Sequence, residues 1–447
     1  MTIEILVLRG VALLFTLCIF AQAFAVRSRQ GTWLAPAAIF AVYWGLMTAI
    51  PILLVQDLAP VIGTFVILLM VSLFTIGSVM VPVTEYDPAP QREGLYDTPL
   101  LYWALAGTTL LAVVCLLINS SVQGISFDRL FTFEAAAEYT ENRYSGALVN
   151  NVFIQVATVL SYVAAVVCGL LLANAGKRRP LVIFLGLAPT LFVLVTQSAK
   201  GALLLAAALI AAGHFVRAID ARETRFMSKP AVRRILVYVA AIFPLLIISF
   251  MARGLYGSIS LNELYFQLYR YLLSYTSGHL FAFSDWMQQQ WGFRASLFYA
   301  DGEPSGGFYT FMSVARVLGD TTIVPPGTYD EYYSHSPSLQ TNIYTMFRGM
   351  IVDYTFVGAM IFMLVSGALA QIAYRQMLKT KYSAIAIVGF LVFVATTQQS
   401  AYISLFQYNS AYFLGVIMLV ILKGNYSFWL KATRQSGHAP AGATAAY

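Results

Sequence analysis

Apolar residues in this chain come in long unbroken runs, not in the alternating or one-faced patterns of soluble domains. Runs long enough to cross a bilayer as helices, roughly 20 residues each, can be read about eleven times. They cover 3–25, 33–55, 59–82, 99–118, 150–174, 180–198, 201–217, 232–252, 346–372, 383–403 and 408–423. The pattern predicts an all-α polytopic membrane protein in four regions. Residues 1–252 carry eight spans with short loops, 253–345 form one large loop, 346–430 carry three more spans, and 431–447 are a small-residue-rich tail expected to be disordered.

Composition strengthens this picture. The 447 residues are 59% hydrophobic and 11% charged, with a mean hydropathy of +0.73, well outside the range of soluble globular proteins. The net charge of +7 is sorted along the chain. Arg27 and Arg29, Arg92, Lys177 to Arg179, Arg217 to Arg234, Arg375 to Lys381, and Lys423, Lys431 and Arg434 all follow odd-numbered runs. Basic loops stay cytoplasmic. The N-terminus is therefore expected outside, the C-terminus inside, and the 253–345 loop outside. The basic balance reflects topology, and nucleic acid is not an expected partner. Cys18, Cys115 and Cys168 fall inside apolar runs and read as packing residues. The first run closes in AQAFA, as a signal peptide can, but Glu4 and the lack of a basic cluster before it favour a retained span.

Polar chemistry gathers on the outward side. From Arg253 to Arg348 there are five arginines and no lysine, and arginine without lysine favours forked recognition of phosphate or carboxylate. Leu261, Leu264, Leu268 and Leu272 repeat at helical spacing opposite Glu263, Gln267, Arg270 and Ser274, which predicts an interfacial amphipathic helix bordered by tyrosines. The 120–150 loop, mixing phenylalanines with charges of both signs, reads as a second interfacial or linking helix. DGEPSGGFYT and TTIVPPGTYDEYYSHSPS, which contain Asp301, Glu303, Asp330, Glu331 and His335, read as turns and irregular loop. Lys200, in TQSAKGALL, is the one lysine expected at the outer surface. In the ninth run Tyr344 and Arg348 stand at i and i+4, while Asp353 points about 140° away from Arg348. Asp353, about one turn into the hydrocarbon, needs a partner or a water-filled cavity. Arg9, at similar depth in the first run, is a candidate partner.

RYLLSYTSGHLFAFSDWM and TNIYTMFRGMIVDYTFVGAMI, on either side of the outward loop, resemble the oligosaccharide repeat-unit polymerases of the O-antigen polymerase (Wzy-type) family. TQSAKGALL is similar to a Ser-Arg-Gly-like turn of that family, with Lys200 where arginine is more usual. The resemblance implies a GT-C-like membrane architecture in a bacterial inner membrane. It also implies transfer of a growing glycan from undecaprenyl pyrophosphate to an incoming lipid-linked repeat unit, with a chain-length regulator and a flippase as partners.

A pyrophosphate leaving group needs charge stabilisation more than a proton donor. Arg253 and Arg348, flanking the loop, are expected to supply it, with Arg270 and Lys200 behind them. Asn342 and Tyr344 are expected substrate contacts. His335 is the first choice of base for the acceptor hydroxyl, with His279, Asp285 and Asp353 as alternatives. No Asp-X-Asp motif and no metal-ligand spacing occurs, so a reaction independent of metal and cofactor is expected. An O-antigen ligase and a lipid-saccharide flippase are the competing readings. A transporter would be expected to show repeated halves with ionisable sites at the midplane, and no convincing repeat is visible.

Overall fold

The computed structural model describes residues 2–82, 92, 94–226, 233, 237, 240, 243–247, 249, 261–292, 304–322, 328–379 and 381–435. It is 77% helical. In chain order the helices are α1 (Ile3–Gln30), α2 (Pro36–Leu54), α3 (Val61–Met80), α4 (Pro99–Val122), α5 (Phe133–Tyr144), α6 (Val152–Leu171), α7 (Arg179–Gln197), α8 (Lys200–Asp220), α9 (Leu261–Gln290) and α10 (Phe308–Val317). A hairpin of β1 (Tyr333–Ser336) and β2 (Leu339–Thr341) follows, then α11 (Met346–Met377), α12 (Ala384–Gln399) and α13 (Asn409–Gln435). Among the described residues nine helices are long and apolar enough to cross a membrane, and α12 is a shorter apolar helix. The chain is an all-α polytopic membrane protein. The expected span 232–252 lies largely outside the described residues.

The chain divides into two compact units. The first comprises Met1–Val83, Ser260–Ile372 and Thr396–Asn409, and the second Thr84–Ile259, Ala373–Ala395 and Ser410–Tyr447. From Ser260 onward the large loop thus belongs with the first three helices and most of α11.

In the first unit α1 buries Ala12, Thr16, Ile19, Ala23 and Val26 against α2 and α3. That alternation of four and three residues makes a single narrow stripe. Leu6, Val7, Leu14 and Leu17 remain exposed, as lipid-facing positions do. α3 and α11 meet at Gly77 and Gly367, where a Cβ on either would collide with a carbonyl of the other helix. Small residues allow this backbone contact. In the second unit α6 is the most enclosed span, packed among α4, α7 and α8.

Two internal prolines each free a carbonyl, and each carbonyl finds a donor from another helix. Pro51 has no N–H to offer Met47 four residues earlier, and Nε2 of His279 on α9 donates to that carbonyl at 3.0 Å. Pro189 likewise frees Leu185, whose carbonyl accepts from the Thr109 hydroxyl on α4 at 2.9 Å.

The described residues of the loop are more ordered than its composition predicts. α9 continues past the amphipathic stretch to Gln290, and its second half is buried against α2 and α3. The stretches read as irregular contain the start of α10 and strand β1. α11 is interrupted at Thr355, with φ 65° and ψ 174°, a conformation essentially reserved for glycine and costly for a β-branched residue.

Replacing His279 by Ala should lower stability by about 1–3 kcal/mol, the cost of a buried acceptor left unpaired. In a Pro51→Ala background, where residue 51 regains its N–H, the same replacement should cost about 1 kcal/mol less. Unfolding in detergent of the four proteins measures the difference, and strict additivity would refute the link.

Candidate functional site

The hairpin is held down by a small apolar cluster. Val55, Leu273, Phe281 and Leu339 are buried together, with Leu58 and Tyr333 packed against them. The β2 strand crosses α9 at Gly278, where a Cβ would stand 2.7 Å from Thr341 Cγ2. Arg270 fixes the same strand from one side, donating to Gln340 Oε1 at 2.9 Å.

His335 lies at an irregularity in this hairpin. Tyr333 pairs with Thr341, Ser334 with Gln340 and Ser336 with Leu339, so the register shifts at His335. A bulge of this kind re-aims a side chain. His335 Nε2 lies 2.9 Å from Oδ2 of Asp57, in the α2–α3 turn. A carboxylate can only accept, so the neutral imidazole carries its proton on Nε2 and presents Nδ1 as an acceptor. Asp57 titrates below its ordinary 3.8, chiefly because His335 hydrogen-bonds it; partial burial opposes this, and the charges of His335 and Arg9 add to it.

Beside this pair opens a cavity of about 350 Å³ lined by Leu58, Ala59, Pro60, Phe281, Ser284, Asp285, Gln288 and Tyr333 to His335. Its walls come from the α2–α3 turn, α9 and the first strand of the hairpin. Ser284 Oγ accepts from the Gly63 N–H at 3.1 Å, satisfying one of the amides left open at the start of α3. The cavity therefore combines an imidazole oriented by a carboxylate, a second half-buried carboxylate on Asp285, hydroxyl and amide groups, and aromatic walls. Such a set suits a polyhydroxylated ligand and a proton acceptor for one of its hydroxyls. Among the described residues no three His, Cys, Asp or Glu side chains converge in a way that could hold a metal ion.

No family model, no curated protein and no solved structure matches the chain.

Of the residues singled out from the sequence, His335 and Asp285 are brought together at this cavity, and Arg270 reaches the strand paired with that of His335. The others go elsewhere. Arg348 is completely buried. Its guanidinium lies 3.9 Å from the Tyr329 ring centre, 4.3 Å from Tyr344 and 5.5 Å from Trp286, and pairs with both oxygens of Glu331 at 3.3 Å. Glu331 is thus an internal counter-ion, not a solvated loop residue. Tyr344 precedes α11 and does not share a helix turn with Arg348. It contributes its ring to the cage, and its hydroxyl donates to the Glu331 carbonyl at 3.4 Å.

Asp353 caps the start of a helix. Its carboxylate accepts from the Ser305 hydroxyl, from Tyr309 N at 2.9 Å and from Thr310 N at 2.6 Å. These backbone groups open α10, where a negative charge is favourable. Arg9 does not serve as its partner. The Arg9 guanidinium donates to the Gln56 and Ile52 carbonyls at 2.5 and 2.6 Å, at the end of α2. His279 is buried and spends Nε2 on the Met47 carbonyl. Lys200, in the second unit, is buried, and its ammonium donates to the Ser249 carbonyl at 3.3 Å; it is not the surface cation expected. Asn342 lies between β2 and α11, half-buried. Arg253, Asp301 and Glu303 lie outside the described residues.

Asp57 escaped notice in the sequence. The available signal was that it is the one acid in the short turn between the second and third runs, at the end of the spans where the large loop emerges.

With its folded-state value depressed, the Asp57 pairing contributes fully above the ordinary carboxylate range and is lost as pH falls through that lower value. Carbon-13 titration of the Asp57 carboxyl should give a midpoint below 3.8 that rises in His335→Ala. An unmoved midpoint would show that the pair does not form.

Proposed function

We propose that this chain polymerises lipid-linked oligosaccharide repeat units on the outer leaflet, with the His335–Asp57 pair as the base that activates the acceptor. The observation that carries the reading is that pair's position at a sugar-sized cavity with Asp285. In the proposed step an acceptor hydroxyl attacks the anomeric carbon of the donor glycan. The carbon–oxygen bond to pyrophosphate breaks, and its electron pair leaves with the polyprenyl pyrophosphate. The hydroxyl proton passes to Nδ1 of His335, and Asp57 stabilises the imidazolium formed. Arg270, on the same hairpin assembly, is the described cation best placed to receive the leaving pyrophosphate. Arg253 retains that role as a proposal from the sequence. Arg348 would have to exchange Glu331 for phosphate to share it.

The charge pattern of the loops supports an outward-facing loop, and the resemblance of the segments around Arg270 and Arg348 supports the substrate class. The proposed setting is a bacterial inner membrane, with the N-terminus outside and the C-terminus inside. A chain-length regulator and a flippase are the proposed partners.

Deletion of the gene in its host should leave single repeat units at the cell surface and no long chains. Long chains stranded on the carrier would instead identify a ligase, and precursor trapped on the cytoplasmic leaflet a flippase. His335→Ala should lower transfer by about 10²–10⁴-fold at normal protein level, the usual worth of a positioned base. Asp57→Asn should lower turnover more than substrate affinity. Near-normal polymer from His335→Ala would remove it from the base role.

A further inference from the structure

His335 and Asp57 are carried by different parts of the first unit. His335 belongs to the hairpin and Asp57 to the α2–α3 turn, and their bonding atoms stand 2.9 Å apart. Among the described residues the hairpin pairs with no third strand, and β2 seats it on α9. Leu339 packs with Leu273 and Phe281, and between those two helix positions Gly278 meets Thr341. Glycine inside a helix is unfavourable relative to alanine, and no left-handed backbone at 278 offsets this. What the position uses is the missing Cβ.

A Cβ at 278 would lie 2.7 Å from Thr341 Cγ2, 2.8 Å from its Cβ and 3.1 Å from its Oγ1. Thr341 Cβ does not move with the rotamer, so turning the side chain cannot clear the clash. The two backbones must separate, by about 0.7 Å to bring 2.7 Å out to an ordinary 3.4 Å. Helix α9 is pinned close by, through His279 on the Met47 carbonyl at 3.0 Å and Ser284 on the Gly63 N–H at 3.1 Å, so the strand yields. Thr341 pairs with Tyr333 and Gln340 with Ser334, which passes the shift to the two residues before His335. Asp57 stays with its turn. A displacement of that size takes a 2.9 Å contact to the limit of hydrogen bonding.

We propose that Gly278 is a positioning residue: its bare backbone sets how closely the hairpin seats on α9 and thereby holds His335 within hydrogen-bonding distance of Asp57. The proposal rests on that pair; its consequence for transfer rests also on the reading above. Arg9, the other charge acting on Asp57, bonds the Gln56 carbonyl of the same turn and so travels with Asp57.

Carbon-13 titration of the Asp57 carboxyl in the full-length protein, held in nanodiscs, reads the seating directly. Gly278→Ala should raise the midpoint toward 3.8 and lower polymer turnover by about 10- to 100-fold, with KM little changed. Adding Thr341→Gly, which removes all three opposing atoms, should return the midpoint toward that of the unaltered protein; general loosening of the fold would not be reversed by deleting a buried side chain. Should Gly278→Ala not fold, Leu339→Ala loosens the same seat without inserting an atom and should raise the midpoint likewise. An unmoved midpoint in whichever variant folds overturns the proposal, as does a rise in Gly278→Ala that Thr341→Gly fails to reverse. A raised, reversible midpoint with unaltered polymer sustains the positioning and removes His335 from the base role.

Discussion

Backbone amides and carbonyls that lose their helical partners in an apolar setting must find other ones, because water is not there to take them. This requirement recurs at each place where the first unit departs from plain helix. Pro51 frees the Met47 carbonyl, and His279 supplies the donor. The start of α3 leaves Gly63 N–H open, and Ser284 accepts it. The end of α2 offers carbonyls to Arg9, and the start of α10 offers amides to Asp353. His279, Ser284, Arg9 and Asp353 are therefore each occupied with an end or a break of a helix.

The cavity inherits its shape from those repairs. His279 and Ser284 lie on one turn-and-a-half of α9, and together they dock it against α2 and α3. That docking presents Phe281, Asp285 and Gln288 beside the α2–α3 turn. The hairpin then closes over them, held by Leu339 in the apolar cluster and by Gln340 through Arg270. Ser284 both meets a helix end and lines the cavity, where His335 faces it from the bulge.

Arg348 illustrates the opposite outcome for a residue with the right chemistry. A guanidinium stacked among Tyr329, Tyr344 and Trp286 and paired with Glu331 is an internal strut that ties the 328–331 segment to the first turn of α11. Breaking such a buried pair leaves an uncompensated charge, which costs about 3–5 kcal/mol. Its apolar cage also makes it a poor first contact for a lipid headgroup.

The sequence by itself determined the membrane character, the approximate spans and the location of polar chemistry in the large loop, because hydrocarbon thickness and the need to pair backbone groups write themselves directly into run length. The runs read at 59–82 and 346–372, for instance, match α3 and the body of α11 within a few residues. It also singled out His335 and Asp285, through residue type alone. Only the tertiary structure decided which candidates meet. Asp57 and His335 are far apart in sequence, and no local pattern marks their approach. Asp353, His279, Lys200 and Arg348 carry suitable groups, yet helix ends, freed carbonyls and an aromatic cage claim them. Those claims depend on how α2, α9, α10 and α11 cross, and a helical period specifies which face is apolar without specifying what that face will touch.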